Sequence, residues 1–290
     1  MSRVSIITAS YNYEDYIKET IESVINQTFQ DWEMIIVNDG STDNSVNLIK
    51  EYYQKDSRIK LYQHKNGINK GLAETLQLGI SKANSEWLAF LESDDTIEPD
   101  YLERKFEIAK KYPKVDFIFN DVNMFGDKEA IDQYTTYFIK QKKLINNIVF
   151  PVKLIKLLRK TDRNLIPTFS CVMVKKECLI NADFNSPIKS VLDYYLWAQL
   201  AKTCNAYYID SKLTNWRKHP KSYINAESIG KQAQFEFHYK RIEFLYSKYA
   251  YLRKSIFIFK TLRQYLLQVH INKSRKEIIL LGRKIYSKGV

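Results

Sequence analysis

Three carboxylates within four residues, Glu92, Asp94 and Asp95, follow directly on the apolar run Trp87-Leu88-Ala89-Phe90-Leu91. The run is short, aromatic and bounded by polar residues, so it reads as a buried strand. Carboxylates crowded at its carboxyl end repel one another and gain little from burial. A hard divalent cation resolves the conflict. Mg²⁺ or Mn²⁺ takes one or two protein carboxylates and leaves its other positions to water and substrate phosphates. The competing reading is an acidic turn that caps the next helix.

The elements that must position these groups are legible in the N-terminal part. Val4–Ala9, Trp32–Val37, Ile59–Tyr62 and Glu86–Leu91 read as strands. Helices are expected over Glu14–Asn26, from about Asp43 to Gln54, and over Gly71–Ala83. Ile17, Ile21, Val24 and Ile25 mark the buried face of the first helix. Such alternation predicts βαβ units and a parallel sheet with helices on both faces. Ligands of such sheets bind beyond the carboxyl ends of the strands. Thr8–Tyr13, Asn38–Thr42 and Glu92–Asp95 would then share one edge. No Gly-x-Gly-x-x-Gly follows the first strand, and no Gly-x4-Gly-Lys-Ser/Thr occurs, which argues against dinucleotide redox enzymes and P-loop NTPases. Further on, a helix is expected over Tyr101–Lys111, stopped before Pro113, with strands over Val115–Asn120 and Phe169–Val174 and a helix over Ser190–Lys202. Leu144–Arg159 mixes apolar and basic residues around Pro151.

The chain has 290 residues, 45% of them hydrophobic and 14% aromatic, enough for a sizeable core. The net charge of +12 is unevenly placed. Residues 211–290 carry 18 Lys+Arg against 4 Asp+Glu, whereas residues 1–210 carry 27 against 29. From about Gln232 the chain reads as all-helical. Leu252, Ile256, Phe259, Leu262, Leu266 and Val269 recur at helical spacing with Arg253, Lys254, Lys260 and Arg263 between them. That is a basic amphipathic helix, suited either to an anionic membrane or to packing on the catalytic domain or a second subunit. Its interleaved charges and the lack of a known motif argue against nucleic acid. Cys171, Cys178 and Cys204 form no metal-type spacing, and their odd number points to reduced thiols in a cytoplasmic setting. No stretch is long and apolar enough to predict a transmembrane span.

Taken together, Val4-Ser5-Ile6-Ile7-Thr8-Ala9-Ser10-Tyr11-Asn12, Glu33-Met34-Ile35-Ile36-Val37-Asn38-Asp39-Gly40-Ser41-Thr42-Asp43, Asn69-Lys70-Gly71-Leu72, Ala89-Phe90-Leu91-Glu92-Ser93-Asp94-Asp95 and Trp216-Arg217-Lys218-His219-Pro220-Lys221-Ser222 resemble family 2 glycosyltransferases. The resemblance covers roughly residues 3–222. It implies an α/β GT-A fold, a Rossmann-like, mostly parallel sheet flanked by helices. It places a nucleotide-binding half at about 1–98, an acceptor-binding half at 99–222, and a basic helical extension at 223–290.

The resemblance also implies roles. Tyr11 stacks on the nucleotide base, and Asp39 accepts a hydrogen bond from a base N–H, which favours uracil or thymine. Taken locally, Asp39 is equally a turn-forming residue before Gly40. Thr8, Ala9, Asn69, Gly71, Glu92, Ser93 and Asp94 line the nucleotide. Asp94 or Asp95 holds Mn²⁺ or Mg²⁺, His219 ligates the metal or contacts phosphate, and Arg217 neutralises the diphosphate. Glu92 stands where the family commonly has Asp. Asp193 is the general base of an inverting transfer, in Leu192-Asp193 where the common family word is Glu-Asp. The other histidines, His64, His238 and His270, have no motif support.

The expected reaction is metal-dependent inverting transfer of a sugar from a UDP-sugar to a growing bacterial surface glycan or lipid-linked acceptor. The basic tail would suit the inner face of the plasma membrane, or pairing into a homodimer. The rivals are a nucleotidyltransferase, which should show a Gly-rich basic loop after the first strand, a non-catalytic family member, and, more distantly, a nucleic-acid-binding protein.

Overall fold

The computed structural model describes residues 2–160, 164–219, 231–245, 258, 270–272, 275–280 and 283–289. Two compact units divide it, Met1–Gly230 and Lys231–Val290.

In the first unit the expected alternation appears as β1 (Val4–Ser10), α1 (Ile17–Ile25), β2 (Trp32–Asn38), α2 (Ser45–Lys55), β3 (Ile59–Gln63), α3 (Leu72–Lys82) and β4 (Trp87–Phe90). These four strands are parallel in the order β3-β2-β1-β4. β1, β2 and β4 are near-continuous apolar runs because both faces are covered. Ile17, Ile21 and Val24 of α1 enter one core cluster with Ile6, Met34 and Ile36, and Ile25 packs at its margin.

The second half is mixed. β5 (Thr96–Ile97), α4 (Tyr101–Lys111), β6 (Phe117–Gly126), α5 (Lys128–Ile145), β7 (Val152–Lys153), α6 (Leu154–Leu158), β8 (Val172–Lys175), α7 (Leu192–Leu200) and β9 (Asn205–Lys218) follow. β8 lies antiparallel between β4 and β6, and β6 runs parallel to β9. β5 and β7 pair antiparallel with β9. The result is a nine-stranded mixed α/β sheet whose long ladders are parallel. The expected strand at Phe169–Val174 begins only at Val172, because Phe169–Cys171 forms a 3₁₀ turn. α7 is buried nearly all round, with Leu192, Tyr194, Tyr195, Leu196 and Trp197 inside.

The second unit corrects the expectation of an all-helical C-terminus. α8 (Lys231–Leu245) is helical, but β10 (His270–Asn272), β11 (Arg275–Leu280) and β12 (Arg283–Gly289) form an antiparallel sheet. Ile278-Ile279 and Ile285 are β-branched, and Leu281-Gly282 separates the two runs, a hairpin pattern. The basic amphipathic stretch Leu252–Val269 lies, but for Ile258, outside the described residues. Among the described residues no helix is long and apolar enough to cross a membrane.

Candidate active site

The chain moves outward from β1 to β2 and β3, then returns to place β4 on the other side of β1. This reversal opens a crevice at the carboxyl ends of β1 and β4, where ligands of open α/β sheets bind. Thr8 and Ala9 lie near the end of β1. The Thr8 and Ser10 hydroxyls are buried without a hydrogen-bond partner among the described residues. Beyond them Tyr11 is 45% exposed, as a stacking platform requires. Asn12 adopts φ 56° and accepts the Thr42 N–H through its side chain at 2.8 Å. The Asp39 N–H donates to the Ser10 carbonyl at 2.8 Å, so the β1 and β2 turns are tied together.

Asp39 is buried, and its carboxylate accepts the N–H groups of Lys70 at 2.7 Å and Gly71 at 2.9 Å. Gly40 adopts φ +77°, and a Cβ there would lie 2.7 Å from the Asn69 nitrogen. Only glycine admits this approach, which draws Asn69 and Gly71 to the end of β2. Each Asp39 oxygen keeps a lone pair, so a base N–H can still be accepted.

At β4, Leu91 continues the ladder by donating its N–H to the Ile7 carbonyl, and the chain then turns through Glu92–Asp95. The turn rests on the remote segment Thr168–Cys171. The Thr168 hydroxyl donates to Glu92. Ser170 Oγ accepts the Glu92 N–H at 3.0 Å and donates to Asp95 Oδ2 at 2.6 Å. The Ser170 carbonyl is pinned by the hydroxyls of Tyr101 (3.0 Å) and Thr214 (3.1 Å). Buried Lys105 donates to the Cys171 carbonyl at 2.7 Å. The other Asp95 oxygen accepts the Arg217 N–H at 2.9 Å. Fully buried Asp95 is thus a structural anchor with both oxygens engaged. Ser93 is buried beside it.

Asp94 differs. Its side chain is 14% exposed, and Oδ2 lies 2.9 Å from His219 Nε2. His219 packs on Tyr16 and edge-on to Tyr13. Among the described residues no group of three His, Cys, Asp or Glu side chains is arranged to hold a metal. The Asp94–His219 pair alone suits a cation that keeps most of its positions for water and phosphate. The cluster's electrostatics favour such a cation. Burial, then the charge of Asp94, pushes the Glu92 carboxyl up to about 7, against the Thr168 hydroxyl. Burial, then Asp94 and Glu92, holds Asp95 well above the usual carboxylate range. Burial and the same three carboxylates raise the Tyr13 hydroxyl. Like charges this close cannot all ionise without compensation.

Arg217 does not turn freely into this crevice. Its Nε donates to the Asp94 carbonyl at 2.8 Å, Nη2 pairs with Glu19 at 2.6 Å, and the guanidinium stacks on Tyr16 and Phe125. It braces the acidic turn against α1. Ser222 lies outside the described residues.

Asp193 sits in the first turn of α7, partly buried. Oδ2 accepts from Asn164 Nδ2 at 2.7 Å and Oδ1 from the Tyr194 N–H at 2.6 Å. Burial outweighs these bonds and raises its carboxyl to about 7. Its charge also acts on Glu92.

Sequence reasoning missed Thr168, Ser170 and Asn164, which lie in a segment with no motif of their own. It also passed over Lys218, which is 95% buried although it adjoins exposed-type residues in sequence. Burial lowers the Lys218 ammonium to about 7, while Asp95, Glu92 and Asp94 pull it back up.

The sheet agrees with what known proteins show. The model of glycosyl transferase family 2 matches residues 5–177, and the chain belongs to that family. The putative glycosyltransferase EpsH of Bacillus subtilis (strain 168) is 44% identical over 106 residues, covering 37% of this chain and 30% of EpsH. The Escherichia coli UDP-Glc:alpha-D-GlcNAc-diphosphoundecaprenol beta-1,3-glucosyltransferase WfgD is 30% identical over 203 residues, covering 70% of this chain and 71% of WfgD. The crystal structure of S. aureus TarS 1-349 in complex with UDP-GlcNAc superposes with a TM-score of 0.65 at 17% identity, over 93% of this chain and 77% of that one. The last likeness establishes the GT-A-like fold.

Proposed function

We propose that this chain transfers a sugar, with inversion, from a UDP-sugar to a hydroxyl of a surface glycan or lipid-linked acceptor. The reading is supported by the placement of Tyr11, Asp39 and the Asp94–His219 pair just beyond the carboxyl ends of β1, β2 and β4, on one edge of the parallel strands. UDP among the nucleotides is supported by the UDP-Glc in the name of WfgD and the UDP-GlcNAc bound in the TarS crystal structure. The lipid-linked acceptor rests on the WfgD name, and the inner membrane face on that acceptor and the basic tail. Homodimer formation remains a proposal attached to the same tail.

Tyr11 stacks on the base and Asp39 takes its N–H. Asp94 and His219 would hold Mn²⁺ or Mg²⁺, which supplies Lewis-acid stabilisation of charge on the leaving diphosphate. Asp193 takes the proton of the acceptor hydroxyl as that oxygen attacks the anomeric carbon. A carboxyl raised to about 7 is well matched to this work, because its base form is present at neutral pH and is basic enough to accept the proton. The test is UDP release from a panel of UDP-sugars with Mn²⁺ and a lipid-linked or oligosaccharide acceptor. Acceptor-dependent release that Asp193→Asn abolishes supports the reading; release from no sugar under any condition overturns it.

A further inference from the structure

The parallel strands have two ends, and the crevice occupies only one of them. β8 runs antiparallel to β4 and to β6, and β6 runs parallel to β9, so β6 and β9 point the same way as β4. Lys114 precedes β6, and Asn205 opens β9. Both line a cavity of about 560 Å³, which therefore lies at the edge opposite the crevice. Lys153, Lys156 and Lys160 join Lys114 in its wall, and among the described residues no Asp or Glu does.

The local sequence explains why these charges gather. Leu154, Leu157 and Leu158 turn one face of α6 into the core, which leaves Lys153, Lys156 and Lys160 on the exposed side. Main-chain bonds fix the floor. β7 pairs with the start of β9, the Leu154 N–H donates to the Cys204 carbonyl at 3.0 Å, and the Ile155 N–H donates to the Ala201 carbonyl at 2.8 Å. Asp116 is already engaged, since it accepts the Asn205 N–H at 3.0 Å and pairs with Lys175 at 3.6 Å. Lys153 Nζ donates to the Thr203 carbonyl at 2.9 Å. Lys114, Lys156 and Lys160 have no ion-pair partner among the described residues. Val149 also lines the cavity and is 91% exposed. A small anion taken from water gives no reason for an apolar tip beside lysines. A surface that is anionic outside and apolar just below it does.

We propose that this cavity binds the headgroup of an anionic phospholipid. The headgroup phosphate sits among Lys114, Lys156 and Lys160, and Val149 enters the acyl boundary beside it. The site needs neither the donor reading nor the basic tail. A bilayer held at this edge lies across the sheet from the crevice, about 20 Å away for the seven residues of β1. On the acceptor reading above, the crevice then meets the far end of a glycan and not the sugar next to the lipid.

The test is flotation of the full chain with phosphatidylcholine vesicles, with and without phosphatidylglycerol. The wild type should float only when phosphatidylglycerol is present. The triple variant Lys114→Gln, Lys156→Gln, Lys160→Gln should bind about a hundredfold more weakly, at about fivefold per lysine near an anionic surface. A control, Lys50→Gln, Lys55→Gln, Lys65→Gln, removes the same charge at the β3 end of the sheet and should stay within about threefold of the wild type. Val149→Ser leaves the charge alone and should weaken binding about tenfold. All of these positions are exposed, so each variant should melt within about 2 °C of the wild type. Vesicle binding that the triple variant keeps, or that the control loses equally, overturns the site. A wild type that ignores phosphatidylglycerol vesicles overturns it too, and uptake of soluble glycerol phosphate through the same lysines would then make a free phosphate the ligand.

Discussion

The crevice holds its acidic groups in two ways. On the β2 side, Asp39 is fixed by two main-chain N–H groups from Lys70 and Gly71, about thirty residues on in the same βαβ unit. On the β4 side, Asp94 and Asp95 are held by side chains and one N–H from Ser170, Arg217 and His219, each 75 residues or more away. The first arrangement is local and closed. The second gathers Glu92, Asp94 and Asp95 without enough positive charge, so burial and the neighbouring charges push protons onto Glu92 and Asp95. On the reading proposed above, the base would sit on a self-sufficient frame, and a ligand and its cation would complete the acidic turn at the diphosphate end.

The largest effect that this contrast predicts falls on neither carboxylate frame but on Asp193. Asp193→Asn should reduce transfer by about 10²- to 10⁴-fold while UDP affinity stays unchanged, measured as acceptor-dependent UDP release against calorimetry. A parallel loss of UDP binding would place Asp193 in the donor frame instead. The same group sets a pH dependence. Its base form is the active one, and its pKa is raised to about 7, so kcat/KM should fall about tenfold per pH unit below 7 and level off above it. A profile flat from pH 5 to pH 8 contradicts the role.

Smaller effects separate the two frames. Asp39→Asn and Ser170→Ala should each cost about 1–3 kcal/mol in urea unfolding, since each strips a partner from buried polar groups. Only Ser170→Ala should also raise the Mn²⁺ concentration needed for UDP binding. Equal shifts in both variants would erase the distinction drawn here. Tyr11 supplies the mildest probe. Tyr11→Ala should weaken UDP by about 1–3 kcal/mol through lost stacking, and Tyr11→Phe should leave it nearly unchanged.

The same contrast explains what could be read from the chain. β1, β2 and β4 are legible because each is an apolar run that ends in a polar turn beside a helix of 3.6 periodicity, and the turns carry Asp39 and Asp94 beside their strands; β3 is short and only half apolar, legible from its place between two helices. β9 is not, although it is 14 residues long. Asp210, Lys212, Asn215 and Arg217 interrupt any apolar alternation there, because the strand's charged groups are met by remote partners such as Lys142 and Glu19. β5 has two residues and no signal of its own. α5 carries Lys, Gln and Thr along much of its length and offers little apolar periodicity. Ser170 and Thr168 act on groups more than 70 residues away, and only the folded sheet, with β8 inserted beside β4, brings them there. In the second unit, β11 and β12 were read as helix because apolar and basic residues alternate ambiguously over short runs.

The most direct test of the account is calorimetric titration of UDP into the full chain with and without Mn²⁺, for the wild type and Asp94→Ala. The account predicts wild-type binding that strengthens markedly with Mn²⁺, and a variant in which the metal makes no difference. UDP binding that is equally tight with and without Mn²⁺ in both proteins would contradict the assignment of Asp94 as the metal-holding carboxylate of the donor site.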